Sequence, residues 1–200
     1  MADIYGSFAE LSARERPGVD YRIDAENHNS RVAIIAPHGG KIEPGTSEIA
    51  RSVAATEFNF YCFEGMKQAN NGHLHITSSR FDEPGCLALI KACDVVIAIH
   101  GCKDREDRRG EDCIVYLGGL DGEAQAKVGN ELRQSGFDCG THANPDLQGR
   151  HPRNICNRGA RNMGVQLEIT RTLRDGLVQS PADLAKFASA VRRAIAGPSR

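Results

Sequence analysis

Residues 32–43, VAIIAPHGGKIE, form an apolar run that ends in a polar loop containing two glycines. Residues 95–101, VVIAIHG, repeat the pattern, because five apolar residues are followed by a histidine and a glycine. Short apolar runs bounded by turn residues are typical of strands buried on both faces of a sheet. The two runs therefore predict two central strands of an α/β protein, each with a histidine just beyond its end.

Strand-like and helix-like segments alternate along most of the remaining chain. Predicted strands lie at residues 31–36, 57–64, 73–78, 94–99, 113–117, 137–141 and 164–170. Predicted helices lie at about residues 46–56, with Thr46 as N-cap, and at 83–92, 121–135 and 181–196. This alternation predicts a three-layer α/β sandwich around a central mixed, mostly parallel sheet. We expect residues 1–17 to be an N-terminal extension, residues 18–200 a single domain, and residues 197–200 a frayed tail.

Composition limits the range of functions. A chain of 200 residues favours one domain, and a net charge of -1 does not favour nucleic-acid binding. The apolar stretches are too short to span a bilayer, and the first 17 residues lack the apolar core of a signal peptide. We therefore expect a monomer in the cytoplasm, or released by lysis, with no nucleic-acid or membrane partner.

Three candidate metal ligands, His38, Glu43 and His100, follow the two apolar runs. Two histidines and a carboxylate are a three-ligand set of catalytic zinc sites, which leave a position open for water. The spacing of His38 and Glu43 requires a loop that folds back, which the glycines at 39–40 allow. Each residue alone could be a hydrogen-bonded turn residue, but their joint occurrence at two strand ends favours a zinc hydrolase.

Glu168 lies near the end of a further apolar strand, residues 164–170. A buried carboxylate is costly unless it is paired or functional. Beside a metal site it would act as a general base, and a salt bridge to Arg171 or Arg174 is the alternative.

Basic residues predict a substrate that carries carboxylates, because guanidinium groups bind carboxylates through two parallel hydrogen bonds. A solvated basic loop or phosphate binding are alternatives. The residues are Arg80 and, in a predicted long ordered loop at residues 142–159 and just beyond it, Arg150, Arg153, Asn157, Arg158 and Arg161.

The seven cysteines form no C-x-x-C pair, so a four-cysteine zinc site is not supported. We expect most of the cysteines to pack in the core, and one or two disulfides remain an alternative if the protein works outside a cell. Two alternative roles for Cys102 are a thiolate ligand of the metal and the nucleophile of a cysteine hydrolase. His73, His75, His142 and His151 remain candidates for supporting or substrate contacts, or are surface residues.

Five segments resemble the phage-related poly-γ-glutamate hydrolase family, and the resemblance covers about residues 18–196. They are residues 35–48 (IAPHGGKIEPGTSE), 74–78 (LHITS), 100–101 (HG), 154–159 (NICNRG) and 164–168 (GVQLE).

The resemblance implies the fold of zinc carboxypeptidases, one zinc ion held by His38, Glu43 and His100, and Glu168 as general base. It implies, further, that Asn157 and Arg158 form a carboxylate-binding pair. From the basic residues themselves, we expect Arg80 as another substrate contact. The expected reaction is cleavage of γ-glutamyl amide bonds in a polyglutamate capsule. The His38–Glu43 spacing is longer than in carboxypeptidases, which leaves exo or endo cleavage open.

Two other functions remain open. One is a different zinc carboxypeptidase or an N-acyl amino acid amidohydrolase with the same site. The other is a non-catalytic protein that binds an acidic polymer, although such a protein needs neither an open metal site nor a base.

Overall fold

The computed structural model describes residues 3–196. Its strands are β1 (Tyr21–Glu26), β2 (Val32–Gly40), β3 (Asn59–Gly65), β4 (Val95–Gly101), β5 (Ile114–Gly119), β6 (Asp138–Gly140) and β7 (Val165–Ile169). Its α-helices are α1 (Phe8–Ser12), α2 (Thr46–Ala54), α3 (Pro84–Ile90), α4 (Gly122–Gln134), α5 (Arg171–Gln179) and α6 (Pro181–Ile195). Short 3₁₀ turns lie at Asn71–Leu74, Glu106–Arg108, Pro145–Leu147 and Ile155–Arg158.

The described strands form one seven-stranded sheet in the order β1-β3-β2-β4-β7-β5-β6. Strands β3, β2, β4 and β7 are parallel and form its centre, whereas β1 and β5 run antiparallel to their neighbours β3 and β7. The predicted mixed, mostly parallel sheet is confirmed. Because the central strands are parallel, the carboxyl ends of β2, β4 and β7 meet at one edge, where open α/β sheets bind ligands.

Helices cover both faces of the sheet and complete the predicted three layers. On one face α2, α4, α5 and α6 pack against the sheet, and Phe60 and Phe187 are among the fully buried residues. On the other face, buried side chains of α1 and α3 join Tyr61, Phe63 and Phe81. No helix within residues 3–196 is long and apolar enough to cross a membrane.

Three parts of the predicted secondary structure differ from the fold. Residues 73–78 were expected to form a strand, but a 3₁₀ turn ends at Leu74 and the rest pairs with no strand of the described sheet. Helix α2 has Gly45 at its N-cap, since the Thr46 hydroxyl donates to the Glu43 carbonyl oxygen instead. Helices α1 and α5 and strand β1 lie where the sequence predicted no element.

Other local predictions hold. Asp121 caps α4 by accepting a hydrogen bond from the Ala124 amide at 3.0 Å. Gly136 follows that helix with a φ of 82°, as a helix-ending glycine should. Ser180 caps α6, with Pro181 in its first turn. The predicted tail at 197–200 lies outside the described residues.

Candidate metal centre

The loop from His38 to Glu43 folds back on itself. The pairing of β2 with β3 shifts register between Ala36 and Gly39, and Gly40 has a φ of 60°. A Cβ on Gly39 would stand 2.3 Å from Cys62 Sγ, so only glycine fits there. The Glu43 amide donates to the His38 carbonyl oxygen at 2.9 Å, which closes the loop and brings both side chains to one side.

Glu43 lies between two buried imidazoles. Its Oε1 is 3.1 Å from His38 Nδ1, and its Oε2 is 3.6 Å from His100 Nδ1. The Gly101 amide donates to Oε2 at 2.8 Å. The predicted ligands His38 and His100 therefore both lie beside Glu43, although β2 and β4 run through their histidines rather than stopping before them.

The tautomer of His38 is fixed by a backbone contact. Its Nε2 lies 2.8 Å from the Ile76 carbonyl oxygen, which can only accept, so Nε2 carries a proton. In the neutral imidazole, Nδ1 then presents a lone pair to the Glu43 carboxylate. Two acceptors facing each other need a positive charge between them, which a metal ion or a proton on Nδ1 supplies. This donor arrangement suits a divalent metal.

Glu168 lies on the same edge, across from His100. The two residues are register partners in the adjacent parallel strands β7 and β4. The Gln166 amide nitrogen donates to Glu168 Oε1 at 2.9 Å, which leaves Oε2 without a hydrogen-bond partner among the described residues. Glu168 is 4 % exposed, so its carboxyl group faces a largely dry site.

The two carboxyl groups of the site titrate in opposite directions. Burial raises the pKa of Glu43, but the charge of His38 and hydrogen bonds from His100 and His38 outweigh it, so that pKa lies well below its ordinary value. Burial, followed by repulsion from Glu43, raises the pKa of Glu168 to about 8. Glu43 thus stays ionised as a ligand would, while Glu168 can hold a proton near neutral pH.

His75 also faces the site, which the sequence left undecided. Its ring stacks on His38 with centroids 4.0 Å apart. Donor atoms of His38, Glu43 and His75 all lie within 4.8 Å of one another. Within the described residues this trio meets the spacing that one metal ion requires, whereas the predicted trio with His100 does not. The segment LHITS is therefore a part of the site, and its histidine is one of the four that the sequence left as candidates for supporting or substrate contacts.

Asp3 holds the loop that carries His75. Its Oδ1 is 2.7 Å from His75 Nδ1, and its Oδ2 accepts hydrogen bonds from the Thr77 amide and from Arg80 Nη2, both at 2.7 Å. Arg80 is thus paired with Asp3, outside the site. Residues of the predicted N-terminal extension reach the site through this contact.

A cleft of about 1020 Å³ opens above these residues. His38, Glu43, His75, His100 and Glu168 form its floor. Its walls come from the segments at 77–79, 101–106, 142–151 and from Asn154. Cations on the walls are Lys103, Arg105 and Arg150.

The structure places the predicted substrate residues outside these walls. Asn157 is 1 % exposed, and its amide donates to the Gly149 and His151 carbonyl oxygens at 2.8 and 3.0 Å. Arg158 donates to the Phe81 carbonyl oxygen at 3.1 Å. Asn157, Arg158 and Arg80 are therefore occupied by contacts within the protein, and Arg150 is the arginine of the long loop that faces the cleft.

The cysteines make no disulfide within residues 3–196, which include all seven. Cys102 lines the cleft, but burial and the charge of Glu168 raise the pKa of its thiol to about 12. A thiol with so high a pKa is a poor nucleophile at neutral pH, which disfavours a cysteine hydrolase.

Comparison with known proteins identifies the family. The family model described as poly-gamma-glutamate hydrolase matches residues 5–188. The chain belongs to the poly-gamma-glutamate hydrolase family.

Solved structures of similar proteins share the whole fold. A bacteriophage poly-gamma-glutamate hydrolase superposes with a TM-score of 0.87 and 27% identity, with 96% of each chain covered. YndL of Bacillus subtilis, solved in a zinc-free apo form, gives a TM-score of 0.86 and 33% identity over 97% of this chain and 98% of that one. The SPbeta prophage-derived protein YoqZ of Bacillus subtilis is 38% identical over 174 residues. This stretch is 86% of the chain and 61% of YoqZ, so the chain spans less than two thirds of that relative.

Asp3 gives a testable link between the N-terminal segment and the site. Hydrogen bonds from Thr77 and His75 outweigh burial and lower the pKa of Asp3 to about 2. The ionised form is thus favoured by folding, and its contribution is complete above about pH 4 and lost as the pH falls toward 2. We expect Asp3→Asn to lower the free energy of unfolding by about 1–2 kcal/mol at pH 7.

Urea unfolding with chelator present, at neutral pH and near pH 3, measures this effect. The gap between wild type and Asp3→Asn should narrow at the lower pH. Asp175→Asn, which breaks an exposed pair with Arg171, is the control and should change little. An equal gap at both pH values would contradict the assignment.

Proposed function

We propose that this chain hydrolyses γ-glutamyl amide bonds of poly-γ-glutamate with one bound zinc ion. The observation that carries the proposal is the group of His38, Glu43 and His100 at the carboxyl edge of the sheet, with both imidazoles buried and Glu168 beside them. Membership of the family supports the substrate class, and the zinc-free form of YndL supports the choice of metal.

We assign the metal to His38, Glu43 and His100. Both imidazoles direct Nδ1 at the Glu43 carboxylate, and both are about 2 % exposed or less. His75 is the competing ligand, because Asp3 holds its Nδ1 and leaves Nε2 free to bind a metal, but its side chain is 34 % exposed. Its ring would then border the open position and contact the substrate.

Zinc, when bound, would act as a Lewis acid toward the scissile carbonyl group and would lower the pKa of a water molecule. The side chains supply the remaining functions. Ile76 holds the His38 ring through Nε2, and the Gly101 amide holds Glu43 through Oε2. These contacts fix the two ligands before substrate arrives, which is the usual role of groups around a metal site.

Glu168 moves the proton. In the ionised form of Glu168, the free Oε2 accepts a proton from the attacking water, whose oxygen bonds to the carbonyl carbon. When the carbon–nitrogen bond breaks, the same Oε2 returns that proton to the leaving amine. Gln166 holds Oε1 and so keeps the carboxyl group oriented throughout.

The cleft walls bind the acidic substrate. Each residue of poly-γ-glutamate carries a free α-carboxylate next to the bond that is cut. Arg105 is already paired with Asp112 at 2.8 Å, but Arg150 and Lys103 pair with no carboxylate of the described residues. We assign a substrate carboxylate to Arg150, in place of Asn157 and Arg158.

The ligand set can be tested by zinc affinity. We expect His38→Ala and His100→Ala to weaken zinc binding by more than about 100-fold. Substitution of residues that only support the ligands weakens it by up to that factor, and loss of a direct ligand should cost more. His75→Ala should keep the zinc dissociation constant within about tenfold of the wild-type value, because His75 is not a metal ligand in this assignment. Competition with a chromogenic chelator measures each constant. If His75→Ala loses zinc and His100→Ala retains it, the metal is held by His38, Glu43 and His75 instead.

The reaction can be tested by the size of the polymer. Purified protein should shorten poly-γ-glutamate on a sizing column, stop with chelator and resume with added zinc. Glu168→Gln should lower kcat by about 10²–10⁴-fold with zinc retained, because the general base is lost. Glu64→Gln, a buried strand carboxylate paired with Arg22, is the control and should keep kcat. A wild type that holds zinc but leaves the polymer intact would overturn the substrate, leaving another amidohydrolase or a polymer-binding protein.

The substrate contact can be tested by kinetics. Arg150→Gln should raise KM for the polymer by about tenfold while kcat stays within about twofold, since a charge-assisted hydrogen bond is lost in ground and transition states alike. Arg153→Gln changes an exposed arginine of the same loop outside the cleft and serves as control. Equal effects of the two changes would show that only the general charge of the loop matters.

A further inference from the structure

Arg174 is a cation in helix α5 that is buried below the site rather than exposed in the cleft. It is 4 % exposed, although most arginines lie at protein surfaces. The sequence offered it as a salt-bridge partner of Glu168. In the structure, all hydrogen bonds of its guanidinium within the described residues go to backbone carbonyl oxygens.

Three carbonyl groups accept from this guanidinium. Nε donates to Pro44 O at 2.8 Å, and Nη1 donates to Ile169 O at 2.6 Å and to Cys102 O at 3.2 Å. Each acceptor lies directly beyond one functional side chain. Pro44 follows Glu43, Ile169 follows Glu168, and Cys102 comes two residues after His100.

The backbone around Arg174 is shaped to admit it. A Cβ on Gly101 would stand 1.9 Å from Arg174 Nη1. Gly45, with a φ of 94°, would carry a Cβ 3.0 Å from Arg174 Cβ. Two glycines, one at the end of β4 and one at the start of α2, therefore make room for one side chain. A buried charge with a dedicated space and three partners is more than accidental packing.

We propose that Arg174 is a positioning residue, whose guanidinium ties together the three chain segments that carry Glu43, His100 and Glu168. The segments follow β2, β4 and β7, which are also joined by sheet pairing and by the hydrogen bond from the Gly101 amide to Glu43. The tie holds the metal ligands and the general base in one fixed arrangement, and its positive charge offsets part of the charge of the two carboxylates. The inference rests on the proposed roles of those three residues.

The tie can be broken from either side. Arg174→Met removes the hydrogen-bond donors and keeps the length of the side chain. Gly101→Ala keeps Arg174 but places a methyl group where its guanidinium lies, so that the guanidinium is displaced. We expect each to raise the zinc dissociation constant by about 10–100-fold and to lower kcat by a similar factor, with KM within about threefold. Arg174→Lys, with three donors on one nitrogen, should recover part of both losses.

A matched control separates positioning from folding. Arg192 in α6 donates through Nη1 to the Ser52 carbonyl oxygen at 3.0 Å, far from the cleft. Arg192→Met should lower the melting temperature without changing zinc affinity or kcat. The double variant Arg174→Met with Gly101→Ala should be little worse than either single variant, because both break the same tie.

The outcomes are distinct. If the tie is real, the Arg174 and Gly101 variants lose zinc affinity and kcat when assayed well below their melting temperatures. If they match wild type within twofold in both quantities, or behave like Arg192→Met, the proposal is wrong. Should Arg174→Met fail to fold, Gly101→Ala and Arg174→Lys decide by the same measurements. A wild type that neither holds zinc nor shortens polymer would instead overturn the proposed function.

Discussion

The carboxylates of Glu43 and Glu168 lie in one small site, and the groups around them must compensate both charges. An unpaired charge in a protein interior costs several kcal/mol, so each carboxylate needs its own compensation. Glu43 receives two imidazoles and the Gly101 amide, and it remains ionised. Glu168 receives a single amide donor and a raised pKa, so it is the group that holds a mobile proton. The difference in their surroundings supports the proposal of one as ligand and the other as base, although both are glutamates on the same edge.

The sequence predicted this edge because parallel strands have a simple rule. Apolar runs at residues 32–36 and 95–99 identify central strands, and a polar side chain after such a run must lie at the carboxyl edge. His38 and His100 could therefore be assigned to the same edge of the sheet without any knowledge of strand order. That Glu168 lies directly opposite His100 depends on the register of β4 and β7, which no local pattern fixes.

The secondary structure that the sequence predicted wrongly or missed has physical causes that a local pattern does not show. Leu74 and Ile76 alternate as in a strand, yet both are buried by packing under a loop that pairs with no described strand. Helix α5 was missed because a buried arginine takes the place of an apolar residue beside Leu173 and Leu177. Strand β1 is an edge strand whose charged residues pair across the chain, as with Arg51 and Glu26, and such pairs leave no periodic signal.

Asn157 and Arg158 show the limit of carrying a motif from a similar family. An asparagine next to an arginine can bind a substrate carboxylate only if both side chains face the cleft, and the 3₁₀ turn at Ile155–Arg158 directs them inward. Cleft-facing cations lie instead on the loops at 101–106 and 142–151, which can change without disturbing the strands. The proposed metal ligands and the proposed base are held by strand pairing and by backbone contacts, so they depend on the fold. The substrate contacts depend on loops, and a related chain could keep the same chemistry while it binds a different amide.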